Sequence, residues 1–127
     1  MRMSRTRTAT AIFAIGRMAF GAGLLAAPER VASGWIGEDA SREPVKIVTR
    51  GLGARDIALS AGVLACIAEE DTLASLLAFT VLCDLGDVAA TLAAPADALP
   101  GNARWGTVAM AGGAAAAGAA LAVAVKR

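Results

Sequence analysis

The sequence predicts an all-α fold, a four-helix transmembrane bundle of up-down topology that forms one domain over residues 1–127. Hydrophobic residues make up 57% of the chain and charged residues 18%, against about 45–50% and about 25% in an ordinary soluble domain. Four apolar stretches each approach the length of about 20 residues that crosses the hydrocarbon core of a bilayer. Pro28, Pro44 and Pro95 mark edges of these stretches, as expected for a residue that favours helix boundaries.

The first predicted helix covers residues 9–27 and is interrupted only by Arg17. A secretory signal peptide is the alternative interpretation, because Arg2, Arg5 and Arg7 precede the apolar run. The run is longer than the usual signal-peptide core of about 7–15 residues, and it contains a charge. We therefore interpret it as a membrane helix.

The second predicted helix, residues 45–68, is the least apolar of the four because it contains Arg50, Arg55 and Asp56. A charged residue at the centre of a membrane helix costs about 2.5–3.5 kcal/mol on the insertion scale. Three such residues roughly cancel the gain from the apolar ones, so we expect this helix to depend on its neighbours. A connecting loop, residues 29–43, is predicted to precede it.

The third predicted helix covers residues 72–94 and the fourth covers residues 105–125. A short acidic turn joins the second helix to the third, which predicts that these two are antiparallel neighbours. The fourth helix has no charged residue and is rich in Ala and Gly. Small residues let membrane helices approach closely, so we expect glycines to form the contact faces. These glycines are Gly16, Gly21, Gly51, Gly53, Gly112, Gly113 and Gly118.

The ionisable residues inside the predicted helices are the main functional signal. They are Arg17, Arg50, Arg55, Asp56, Asp84 and Asp87, and their formal charges sum to zero. Arg17, Asp56 and Asp84 each lie within about one residue of the middle of their predicted helices, or about 1.5 Å along the helix axis. Charges at one depth in a membrane are expected to pair, because an unpaired charge in hydrocarbon is costly. In two antiparallel helices joined by a short turn, residues that face each other have position numbers with a nearly constant sum, which we call the hairpin register. This register predicts the pairs Arg55–Asp84 and Arg50–Asp87. Asp56 is then the acid left to pair with Arg17.

The first interpretation of these charges is a functional site for a lipophilic small molecule. The site would belong to an intramembrane acid–base enzyme of the isomerase or cyclase type, or to a protein that only binds the molecule. The candidate catalytic residues are Asp84 and Asp87 as general acids and Arg55, which would stabilise negative charge on oxygen. The candidate substrate-binding residues are Arg50, Asp56 and Arg17.

In the second interpretation, the same charged residues take part in no reaction and bind no ligand. The chain would then be a structural or transport subunit of a membrane complex, in which the Arg/Asp pairs only hold helices together. Its partners would be the lipid bilayer and either a second copy of the chain or another membrane protein. The Ala/Gly face of the fourth helix would supply the contact.

Composition excludes several classes of site. The chain has no His and no Tyr, which removes His-based metal sites, Ser/His/Asp triads and Tyr general acids. Cys66 and Cys83 lie in apolar runs and form no CxxC pair. We therefore expect neither a metal nor another cofactor. The net charge of +1 offers no basic surface for nucleic acid.

Two short polar motifs carry a resemblance to a known group of proteins. The segment Arg50-Gly51-Leu52-Gly53-Ala54-Arg55-Asp56 has the pattern RGxGxRD, and Asp84-Leu85-Gly86-Asp87 has the pattern DxxD. Together they resemble motifs of small four-helix bacterial integral membrane proteins of unknown function. The resemblance implies a four-helix membrane bundle, but it does not imply any activity.

Basic residues near the two ends of the chain predict its orientation. Arg2, Arg5 and Arg7 precede the first helix, and Lys126 and Arg127 follow the fourth. Loops and termini on the cytoplasmic side of a membrane are enriched in Lys and Arg. We therefore expect a multi-pass protein of the cell membrane with both termini in the cytoplasm.

Overall fold

The computed structural model describes residues 3–127, and this part of the chain is helical and contains no β-strand. The α-helices are α1 (Arg5–Ala26), α2 (Pro28–Ile36), α3 (Glu43–Ala65), α4 (Glu70–Ala93) and α5 (Ala103–Val125). A 3-10 helix, Gly37–Ser41, follows α2. The predicted all-α class is thus confirmed, while Arg2 lies outside the described residues.

Three of the five α-helices, α1, α4 and α5, are long and apolar enough to span a membrane. Helix α3 is as long as these but falls outside this class. The reason is its charge, since every 18-residue stretch within α3 contains Arg50, Arg55 and Asp56.

The four predicted helices correspond to α1, α3, α4 and α5, but each begins two to four residues earlier than predicted. The difference arises because hydropathy marks where the apolar run starts, whereas capping marks where the helix starts. Ser4 accepts a hydrogen bond from the backbone N–H of Arg7 through its side chain. Glu43 and Glu70 occupy the first turns of α3 and α4, where a negative charge is favourable.

The predicted loop over residues 29–43 is wrong, because most of this segment is helical. Pro28 occupies the start of α2, a position where its missing N–H costs nothing. Ala32 is buried on the inner face of α2, and Val31 and Trp35 line a cavity with residues of α1 and α5. Helix α2 thus packs against one end of the long helices.

Close packing joins α1 to α3 and α4 to α5. A Cβ atom at Gly21 would lie 2.6 Å from the carbonyl oxygen of Gly53, and one at Gly118 would lie 3.0 Å from a methyl group of Val81. The predicted contact role is therefore confirmed for Gly21, Gly53 and Gly118. It is wrong for Gly16, Gly51, Gly112 and Gly113, where a Cβ atom would meet nothing within 4 Å.

Polar contacts identify the two ends of the helix assembly. At one end, Arg7 donates to the carbonyl oxygen of Ala68 over 3.3 Å, and Lys126 lies 3.3 Å from the carboxylate of Asp71. The start of α1, the α3–α4 turn and the end of α5 therefore lie together. At the other end, the Arg104 guanidinium donates to the carbonyl oxygens of Leu92 and Ala94, which end α4.

Candidate functional site

Five of the six predicted site residues meet in one network, which we call the Arg/Asp cluster. It comprises Arg17 from α1, Arg55 and Asp56 from α3, and Asp84 and Asp87 from α4. The cluster therefore ties together three helices at their middle turns. Their direct hydrogen bonds show that Arg17, Asp56 and Asp84 lie at a common height along the three helices.

Arg17 connects the two most deeply buried carboxylates. Its Nη1 lies 2.7 Å from each carboxylate oxygen of Asp84, and its Nη2 donates to Oδ1 of Asp56 over 3.1 Å. The side chains of Arg17, Asp56 and Asp84 are 10%, 6% and 6% exposed. The guanidinium carbon also lies 5.8 Å from the centre of the Phe13 ring, within the range of a cation–π contact.

Arg55 forms the second half of the network. Its Nη1 and Nη2 donate to the two oxygens of Asp87 over 3.2 and 2.9 Å, a bidentate geometry. Its Nε and Nη2 also donate to Oδ1 of Asp56 over 3.2 and 3.0 Å. Asp56 Oδ1 thus accepts hydrogen bonds from both guanidinium groups.

Two of the three predicted ion pairs are wrong. Arg55 pairs with Asp87 rather than with Asp84, and Arg17 occupies both oxygens of Asp84. The predicted pair of Arg17 with Asp56 is confirmed. The hairpin register assumed that α3 and α4 face each other directly, but a side chain from α1 reaches between them.

Arg50 does not join the cluster. Its Nε lies 3.4 Å from the carbonyl oxygen of Leu25, near the end of α1. It lines a surface cavity of about 670 Å³ together with Arg30 and Lys46. Arg50 precedes Arg55 by five residues, a spacing that turns the two side chains toward different sides of α3.

Because Arg50 lies outside the cluster, the net charge of the site differs from the predicted one. The cluster contains two guanidinium groups and three carboxylates, so its formal charge with all groups ionised is −1. The predicted sum of zero therefore does not hold for the groups that are in contact. One further positive charge is needed to balance the cluster.

One carboxylate oxygen of the cluster has no donor. Asp84 and Asp87 each use both oxygens, whereas Asp56 Oδ2 accepts no hydrogen bond from any described residue. Asp56 Oδ2 is also not fully buried, unlike the Nε of Arg17, which lacks an acceptor. Asp56 therefore retains one oxygen that can accept a hydrogen bond from outside the cluster.

An apolar cavity of about 390 Å³ opens beside the cluster, between α1 and α5. Its charged lining residues are Arg17, Asp56, Asp84 and Asp87, and its other lining residues are Ile12, Phe13, Gly16, Phe20, Met110, Ala111 and Ala114. A second cavity of about 290 Å³ continues toward α2 and shares Phe20 and Met110 with the first. The two cavities adjoin at these shared residues, and we call them together the apolar groove; its charged lining residues all belong to the first cavity.

The apolar wall of this cavity was not predicted from the sequence, although a signal for it was present. Phe13 and Phe20 lie four residues before and three residues after Arg17. Residues at these spacings share one face of a helix. The face of α1 that carries the buried charge could therefore have been identified as the face that also carries two aromatic rings.

Hydroxyl groups in these helices are bonded mainly within their own helix. Thr49 donates to the carbonyl oxygen of Val45 and Thr91 to that of Asp87, as their helical positions predict. Ser60 differs, because its buried hydroxyl has no hydrogen-bond partner among the described residues.

Within residues 3–127, no group of three or more His, Cys, Asp and Glu residues is arranged to hold a metal ion. No family model, curated protein or solved structure matches the chain. The function is therefore inferred from the Arg/Asp cluster and its cavity.

Proposed function

We propose that the chain is a membrane-embedded binder of a lipophilic small molecule, with α1, α3, α4 and α5 as a four-helix bundle of up-down topology. The apolar body of the ligand would lie in the groove between α1 and α5, and its polar group would contact the Arg/Asp cluster. The observation that carries the proposal is the buried charged cluster in the wall of an otherwise apolar cavity. Sites for small molecules combine an apolar wall with a few polar groups in this way.

The cluster also supports a membrane location for α3. Its charges would be costly in hydrocarbon, but Arg55 and Asp56 are paired with residues of α1 and α4. Arg50 lies near the end of α1, where a long side chain can reach the membrane surface. We place the protein in the cell membrane as a multi-pass protein with both termini in the cytoplasm.

Binding is better supported than acid–base catalysis. The predicted general acids Asp84 and Asp87 each accept hydrogen bonds from one guanidinium group at both oxygens, so neither carboxylate has an oxygen without a donor. The catalytic roles predicted for them and for Arg55 thus remain hypotheses. A purely structural role of the ion pairs is the competing outcome of the experiment below.

Photo-crosslinking in nanodiscs tests the proposal. A long-chain alcohol that carries a diazirine group serves as the probe, and mass spectrometry maps the labelled peptides. We expect saturable labelling of α1 and α5 at the cavity, which excess unlabelled alcohol displaces. Labelling that rises in proportion to probe concentration and spreads over all lipid-facing residues would support the structural role instead.

A pair of variants on α5 provides the matched control. Ala114 lines the cavity, whereas Ala116 is exposed on the same helix and lines no part of it. Ala114→Phe should fill the cavity and abolish saturable labelling, while Ala116→Phe should retain it. Equal labelling of both variants would contradict a binding site in this cavity.

A further inference from the structure

The net charge of the Arg/Asp cluster indicates which sign of charge a ligand of this site would carry. Three carboxylates face two guanidinium groups in this network, and the side chains of Asp56 and Asp84 are each 6% exposed. A net charge in such a buried setting is costly unless another charge balances it. A neutral or anionic ligand would leave this imbalance in place or increase it.

The free hydrogen-bond acceptor of the cluster, like its negative charge, favours a ligand that donates hydrogen bonds. Asp56 Oδ2 has no donor among residues 3–127, and Asp56 lines the cavity. Asp87 also lines the cavity and is the most exposed carboxylate of the cluster, at 23%. Where the cluster lines the groove, a ligand therefore meets carboxylate oxygens that can accept hydrogen bonds.

Each guanidinium group is already engaged. Arg17 uses Nη1 and Nη2 on Asp84 and Asp56, and its remaining Nε is fully buried and does not face the cavity. Arg55 is held by Asp56 and Asp87 and does not line the cavity. An anionic headgroup would therefore find no guanidinium group there that is not already paired with a carboxylate.

We infer that the ligand is a lipophilic amine in its protonated form, whose ammonium group donates to Asp56 Oδ2 while its hydrocarbon body fills the groove between α1 and α5. This inference rests on the proposed function and adds the sign of the ligand's charge. The ammonium group would bring the formal charge of the site to zero. Hydrogen bonds between ionised partners are about twice as strong as neutral ones.

The test compares three diazirine probes with the same alkyl chain, ending in a primary ammonium, a hydroxyl or a sulfate group. Nanodiscs of phosphatidylcholine provide a bilayer without net charge, and the readout is the probe concentration that half-saturates labelling at the cavity. We expect this concentration to be on the order of tenfold lower for the ammonium probe than for the alcohol. The sulfate probe should not label the cavity saturably.

Asp56→Asn removes the surplus negative charge with little change in shape, and Glu69→Gln is the matched control in the exposed α3–α4 turn. The ratio of the half-saturating concentration of the alcohol to that of the ammonium probe should fall about tenfold in Asp56→Asn and remain unchanged in Glu69→Gln. Because the same two probes are compared in every variant, their different partitioning into the bilayer cancels. If Asp56→Asn does not fold, Asp87→Asn removes the same charge from a more exposed position.

The outcomes separate this inference from the proposed function. Saturable labelling by the alcohol without any preference for ammonium in the unaltered protein would overturn the inference alone. This is the result expected if a proton balances the cluster instead. A preference that survives both Asp→Asn variants would also overturn it. Absence of saturable labelling by all three probes would overturn the proposed function.

Discussion

Gly21 and Gly53 face each other where α1 crosses α3, and the two backbones are in contact there. A Cβ atom on Gly21 would lie 2.6 Å from the carbonyl oxygen of Gly53, and one on Gly53 would lie 2.9 Å from the Cβ atom of Leu24. The neighbouring atoms belong to backbone or to the first atom of a side chain, so they have little freedom to move. This crossing brings Arg17, one turn before Gly21, against Asp56, one turn after Gly53.

Gly53→Ala should lower the stability of the protein by about 1–3 kcal/mol, because the added methyl group forces α1 and α3 apart. The free energy of unfolding in mixed detergent micelles provides the measurement. Gly51→Ala is the control on the same helix, since a Cβ atom there meets nothing within 4 Å. Gly51→Ala should be neutral or slightly stabilising, and equal losses in the two variants would contradict the helix crossing described above.

Arg17→Met should destabilise the protein by about 3–5 kcal/mol, because it leaves two buried carboxylates without their shared partner. Arg17→Lys should recover only part of the loss, since a single ammonium cannot reproduce the planar fork that contacts Asp56 and Asp84. Thermal unfolding in detergent compares these variants with Arg5→Met, which replaces an exposed Arg at the start of the same helix. If Arg17→Met and Arg5→Met unfold alike, the cluster does not hold the helices together.

The pairing of Arg55 with Asp87 predicts a coupling energy in a double-mutant cycle. Arg55→Ala and Asp87→Ala should interact by about 0.5–3 kcal/mol, because the two side chains are joined by two hydrogen bonds. The same cycle for Arg50→Ala and Asp87→Ala should give a coupling near zero, since Arg50 bonds to Leu25 instead. A larger coupling energy for Arg50 with Asp87 than for Arg55 with Asp87 would favour the Arg50–Asp87 pair that the hairpin register predicts.

Arg104→Ala should loosen the last turn of α4. The Arg104 guanidinium donates to the carbonyl oxygens of Leu92 and Ala94, which have no partner within the helix. Hydrogen exchange followed by mass spectrometry should show faster exchange in residues 88–94, with the α3–α4 turn unchanged. Arg30→Ala, at an exposed position on α2, should leave exchange in this segment as it is. Unchanged exchange in Arg104→Ala would mean that the cap contributes little.

Much of the fold could be predicted because long apolar runs bounded by proline have few other structures open to them. Pro28 and Pro95 follow α1 and α4 closely, and Pro44 lies at the start of α3. Helix α2 was missed because it is short and its apolar residues, Val31, Ala32, Trp35 and Ile36, lie among polar ones. Its helical structure is supported by packing against α1 and α5, which local sequence does not reveal.

The sequence by itself determined which charges lie inside apolar helices and at which height along each helix, because an α-helix rises by a constant amount per residue. Height explains why Arg17 meets Asp56, and why five of the six charges share one network. Only the tertiary structure decided which charge faces which partner. That choice depends on the rotation of each helix about its axis and on the Gly21–Gly53 crossing, which inserts Arg17 between α3 and α4. Because Arg50 is turned away, a set of residues with no net charge in the sequence becomes a cluster with a formal charge of −1 beside an apolar cavity.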